Sequence, residues 1–208
     1  MNFLKIHIRT QWGMYFFAVL FIYLFLLPYQ HQLLADKDEL TMIRVFDSAQ
    51  TFLPIFGIWI QYLGFRLLLS KELKELSYSN ITGAKSSWCF SNIVVTLFLL
   101  LLYAICLAFM TEDYRVNVTV LLFQCIIIGE MTYFFMHLLK SALGGMAFMY
   151  GYCFLSIGHL LPEEFCVIRL GLLPVNFGRN RFYTQIFFGV FMVVGGAFLE
   201  KIVNKDGE

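Results

Sequence analysis

The chain alternates long apolar runs with short polar ones. A bilayer core of ~30 Å needs ~20 helical residues to cross it, and six runs approach or exceed that length. They lie at about residues 12–29, 46–69, 92–110, 116–139, 142–161 and 182–199. The first closes at Pro28, and the third and fifth contain no charged residue. The second carries Pro54 and Gln61, and Glu130 interrupts the fourth. Such polar residues favour helices that face protein rather than lipid. The pattern predicts an all-α membrane protein: one transmembrane domain over 1–208, with six transmembrane helices.

The connections refine this picture. Residues 1–10 mix Phe3, Leu4, Ile6 and Ile8 with Lys5, His7 and Arg9, which suits an N-terminal interfacial helix or the frayed start of the first span. The longest inner connection, 70–91, contains Glu72, Leu73, Lys74, Glu75 and Leu76. Leu69, Leu73 and Leu76 share one helical face there. It reads either as an interfacial helix on lipid or as a docking helix for a soluble partner. The outer stretch 162–180 is apolar but broken by Pro162, Gly171, Pro174 and Gly178. It reads either as a re-entrant segment, whose backbone must then be buried in protein, or as a plain interfacial loop.

Orientation follows from Lys and Arg, which stay cytoplasmic. With both termini inside, nine of the 15 basic residues lie on the inner side and six on the outer. Bulky Pro28, Tyr29, Gln30, His31 and Gln32 follow the first run without a small-residue cleavage site, so that run is expected to stay in the protein.

Composition supports lipid as the solvent. Hydrophobic residues make up 60% of the 208, charged residues 14%, and Phe occurs 24 times; mean hydropathy is +0.74. Soluble domains average ~45–50% and ~25% for the first two. A net charge of +1 argues against a nucleic-acid partner. The five cysteines form no CxxC or zinc spacing, and no phosphate-binding loop is present.

Candidate chemistry centres on Glu130. An acid deep in a span is costly and faces protein, a partner group or a water-filled path. It reads as a path residue, a helix–helix contact, or a residue nearer the interface. Trp59 and Tyr62 flank Gln61 at depth and can line an internal surface with it. His137 lies seven residues beyond Glu130. Cys153 and His159 are too far apart along one helix for an evident nucleophile–base pair. Gly144, Gly145 and Gly151, and Gly189, Gly195 and Gly196, read mainly as close helix packing.

The layout resembles the ABC-2 type membrane subunits of ABC exporters. Glu72, Leu73, Lys74, Glu75 and Leu76, followed by Gly83 and Lys85, occupy the place of that family's coupling helix. Pro162 and the broken stretch to Pro174 occupy the place of its outer re-entrant helices. The resemblance implies a non-enzymatic permease subunit in a bacterial cell membrane, paired with a second permease copy or relative. Separate ATPase subunits would hold the ATP and magnesium, with no cofactor in this chain. The implied cargo is hydrophobic or amphipathic, such as an antimicrobial peptide, a drug or a lipid. Trp59, Gln61, Tyr62 and Glu130 are the candidate path residues. The alternatives are a substrate-binding component of a vitamin importer and a non-transporting immunity or assembly protein.

Overall fold

The computed structural model describes residues 13, 15–35, 40–68, 85–110, 114–162, 165–168, 187–192, 194–196 and 198–199, with side chains over the same ranges except 67, 68, 85–91 and 114–117. Most of these residues are helical, and none is in a strand. The helices are α1 (Tyr15–Ala35), α2 (Thr41–Leu68), α3 (Lys85–Ala108), α4 (Tyr114–Leu138), α5 (Ala142–Ile157) and α6 (Phe187–Gly196). The expected N-terminal helix over 1–10 and the expected coupling helix at 72–76 fall outside the described residues.

Two helical stretches among the described residues, Tyr15–Ala35 and Val118–Leu138, are long and apolar enough to cross a membrane, where six spans were expected. Asn92–Ala108, Ala142–Ile157 and Phe187–Gly196 are apolar but shorter. Although α2 has 28 residues, Arg44, Asp47, Gln50, Gln61 and Arg66 interrupt its apolar character.

Helix boundaries also depart from the expected ones. The first apolar run was expected to close at Pro28, yet α1 continues to Ala35. Proline lacks an N–H and its ring crowds the carbonyl four residues back. The chain meets this by widening into a π-helical turn over Ile22–Leu26, where the Leu27 N–H donates to the Ile22 carbonyl. Helix α2 starts at Thr41, so Arg44 is helical rather than part of the outer connection. Helix α5 ends at Ile157 instead of running to 161.

Local chemistry makes the tight α4–α5 hairpin. Ser141 is extended and its hydroxyl accepts from the Gly144 N–H at 3.1 Å, capping α5. Before it, Lys140 takes a left-handed φ of 50°, and the Ser141 N–H closes back on the Met136 carbonyl. His159 repeats the device at the end of α5, with a φ of 55° and the Leu160 N–H on the Leu155 carbonyl. Both positions usually carry glycine.

Helices α2 and α4 form the centre. They pack on each other, and each also packs on α3 and α5, while α1 lies on α2. Close approaches mark the contacts. A side chain on Gly64 would collide with the Asn92 amide, and one on Gly196 would come within 2.6 Å of the Tyr133 ring. One core cluster joins α1, α2, α3 and α4 around Phe46, Leu53, Tyr103 and Leu121. A second joins α2, α4, α5 and α6 around Ile58, Ile128, Met149 and Met192.

Uncharged polar side chains are buried beside this apolar core. Gln30, Gln50, Gln61, Asn92, Gln124, Thr132 and Ser156 are buried. Large apolar side chains instead cover the outside. On α3 they form a stripe of Val94, Phe98, Leu101 and Ile105, and on α6 one of Phe187, Val190, Phe191 and Val194.

Candidate functional site

Uncharged polar side chains buried between helices draw the candidate site together. Near the start of α2, the Gln30 amide donates to the Val45 carbonyl at 3.0 Å and to the Ser48 hydroxyl at 2.9 Å, while its oxygen accepts from the Tyr103 hydroxyl at 3.0 Å. This ties α1, α2 and α3. Towards the far end of α2, the Asn92 amide donates to the Gln61 oxygen at 3.2 Å. Gly64 and Gly129 leave the room this α2–α3–α4 junction needs.

The third group encloses irregular backbone. After α5 the chain turns back, and residues 165–168 lie against the bundle with Cys166, Val167 and Ile168 buried. The Gln124 amide donates to the Val167 carbonyl at 2.9 Å and to the Gln50 oxygen at 3.1 Å. Ser156 donates to the Ile168 carbonyl at 2.7 Å. Tyr152 donates to the Phe165 carbonyl at 2.6 Å and accepts from the Val167 N–H at 3.0 Å. Side chains of α4 and α5 thus take up backbone groups that no helix or sheet satisfies, as buried peptide groups require. This is the described part of the stretch for which the sequence left a re-entrant segment or a surface loop open. Residues 166–168 of it are buried in protein, while Phe165 is exposed. The Gln124 oxygen is itself buried with no hydrogen-bond partner among the described residues.

The residues predicted to line a path do not converge. Gln61 points into the α2–α3–α4 junction. Trp59 and Tyr62 pair on another face of α2, with ring centroids 5.9 Å apart. The Trp59 indole nitrogen is buried and has no hydrogen-bond partner among the described residues. Glu130 faces α6, where a Cβ on Gly189 would lie 2.8 Å from its carboxylate. Glutamate and helix backbone therefore approach closely, and a side chain at 189 would require the carboxylate end of Glu130 to shift. His137 remains inside the bundle, its Nδ1 3.0 Å from the Tyr133 carbonyl and its ring against Tyr133 and Phe65.

Gln30, Gln50, Asn92, Gln124, Tyr152 and Ser156 were not singled out from sequence. The signal for Gln50 and Gln124 was available, since each interrupts an apolar run as Gln61 does, whereas Gln30 falls just past the first run. No family model, curated protein or solved structure matches the chain. Among the described residues, no three His, Cys, Asp or Glu side chains gather as a metal site. Cys153 is buried in the core while His159 is exposed at the end of α5, so the two form no nucleophile–base pair. Cys106, Cys125, Cys153 and Cys166 are free thiols.

Proposed function

We propose that this chain is a multi-pass permease subunit of an ATP-driven exporter in a bacterial cell membrane, with both termini cytoplasmic. The observation that carries the membrane reading is the apolar surface, with stripes of exposed Phe, Leu, Ile and Val while amides are buried inside. Water penalises such a surface, whereas lipid accepts it and penalises unpaired polar groups. The burial of 166–168 fits the same reading, because irregular structure at membrane depth must be enclosed by protein.

The exporter assignment rests on the sequence layout. The apolar face of Leu69, Leu73 and Leu76, beside Glu72, Lys74 and Glu75, suits docking of a separate ATPase that holds ATP and magnesium. A second permease copy completes the path. An apolar and aromatic candidate path without a ring of charge suits a hydrophobic or amphipathic cargo.

Three measurements test this reading. Asp38→Cys and Asp113→Cys label with an impermeant maleimide in intact cells, while Glu75→Cys and Asp206→Cys label only after permeabilisation. Outside labelling of Glu75→Cys would overturn the orientation. Changing Leu73 and Leu76 together to Asp should weaken co-purification of an ABC ATPase partner, while membrane insertion persists. An undiminished complex removes the coupling role. Glu130→Gln leaves the assembly intact and alters the transport rate or its pH profile. An unchanged profile reduces Glu130 to a packing contact with α6.

A further inference from the structure

A groove between α1 and α2 adjoins the first polar seam through Ser48. It encloses about 580 Å³, within the ~300–1,000 Å³ common for small-ligand sites. Its apolar part is formed by Phe21, Phe25, Leu26 and Phe52, and its polar part by Arg44, Asp47, Ser48 and Thr51.

The α1 wall is shaped by the π-helical turn. Ile22–Leu26 is the segment in which the helix widens, and such turns concentrate at functional sites. Phe21 precedes that turn and Phe25 lies within it; the two rings stack with centroids 5.5 Å apart at 26°, and Phe21 meets Phe52 across the groove at 5.2 Å. The result is an aromatic slot rather than a collapsed helix–helix seam.

The polar rim has a definite chemistry. The Ser48 hydroxyl donates to the Val45 carbonyl and the Thr51 hydroxyl to the Asp47 carbonyl, so both protons are committed to their own helix. The groups of opposite charge at the rim are the Arg44 guanidinium and the Asp47 carboxylate, one turn apart on α2. Both also interact within the protein. A guanidinium and a carboxylate nevertheless offer more donors and lone pairs than one partner uses. Arg44 lies one turn from the start of α2, and Phe52 lies about 12 Å further along that helix. The groove therefore runs from a charged mouth to an aromatic floor.

We propose that this groove holds one zwitterionic phospholipid. Its phosphate meets Arg44, its ammonium meets Asp47, and an acyl chain lies along Phe21, Phe25 and Phe52. Charge complementarity selects the head group: an anionic lipid sets its phosphate beside Asp47 with no ammonium to offset it. The route of entry selects lipid over a soluble peptide. Phe25 is 63% exposed, and the adjoining Leu24 is 61% exposed on the same helix, so the groove wall continues onto the outer apolar face of α1. The proposal rests on α1 lying in the membrane.

The test uses the full chain in mild detergent. Equal amounts of phosphatidylethanolamine and phosphatidylglycerol with identical acyl chains are added, and bound lipid is read by native mass spectrometry. Phosphatidylethanolamine adducts are expected to exceed phosphatidylglycerol adducts about tenfold, the scale of one charge-assisted hydrogen bond. Asp47→Asn should equalise the two, because only phosphatidylethanolamine carries the ammonium; Arg44→Gln should weaken retention of both, because both carry the phosphate, and Arg44→Lys should keep much of that retention. Equal retention by the unaltered protein overturns the proposal without any variant, so poor folding of a variant leaves it decidable. A preference that survives Asp47→Asn overturns it too, as does displacement of the lipid by a soluble amphipathic peptide. Failure of the membrane reading is distinguishable, because Asp38→Cys then does not label in intact cells whichever lipid is retained.

Discussion

Gly145→Ala should destabilise the bundle by about 2 kcal/mol, near the middle of the usual cost of overpacking. A Cβ at this position would lie 2.6 Å from the Met136 nitrogen and 2.7 Å from the Met136 Cα. The obstacle is backbone, so no rotamer change relieves it and α4 must move away from α5. That movement strains the tight turn through Lys140 and Ser141 and loosens the cluster of Phe65, Tyr133, Met136 and Ala142. Gly151→Ala on the same helix is the control. Nothing lies within 4 Å of its added methyl, so only propensity acts, and alanine is favoured over glycine by ~0.5–1 kcal/mol in a helix interior. The two substitutions should therefore shift thermal unfolding of the detergent-solubilised protein in opposite directions. Equal shifts would refute the close α4–α5 approach.

That contrast marks how far the sequence could be read. Gly144, Gly145 and Gly151 look alike in the chain, yet Gly145 is the one that admits a neighbouring helix. Gly144 lies beside the Ser141 cap and Gly151 faces open space. Which face of a helix is occupied depends on where other helices sit, and one helix's sequence does not record that. The helical class and approximate positions were legible, because unbroken apolar runs leave few alternatives. Boundaries were less so: Pro28 reads as a stop but is absorbed by a π-helical turn. Arg44 reads as part of a connection, but α2 starts at Thr41 and carries Arg44 on its rim.

The candidate site was half legible for a related reason. Glu130 stands out because charge is rare in an apolar run, and the structure sets it against Gly189. Glutamine is less conspicuous, although in a dry interior an amide needs partners almost as strictly. Gln50 and Gln124 are 74 residues apart, so their pairing is tertiary information. The same holds for Val167, whose carbonyl Gln124 receives across 43 residues.

Gln124 therefore carries the other large expected effect. Gln124→Met keeps the length and removes the donor, leaving the Val167 carbonyl and the Gln50 oxygen without it. Interhelical hydrogen bonds within membranes average ~0.6 kcal/mol each, while a buried group left unpaired costs ~1–3 kcal/mol. Together these give a loss of about 2 kcal/mol, concentrated where 165–168 meets α4. Ser156 and Tyr152 still hold Ile168 and Phe165, so the segment should loosen locally while the helices remain assembled. The direct measurement is the maleimide reactivity of Val167→Cys, whose backbone carbonyl can still accept from Gln124. With Gln124 present this buried position should react slowly, and in the Gln124→Met background its rate should rise about tenfold, as a shift of ~1.4 kcal/mol in local opening requires. Gln50→Met discriminates the two bonds. It removes the Gln124–Gln50 link but leaves Gln124 donating to Val167, so reactivity at 167 should change much less. If Gln50→Met and Gln124→Met raise the rate equally, the segment is held by α2–α4 packing and not by the Gln124 amide.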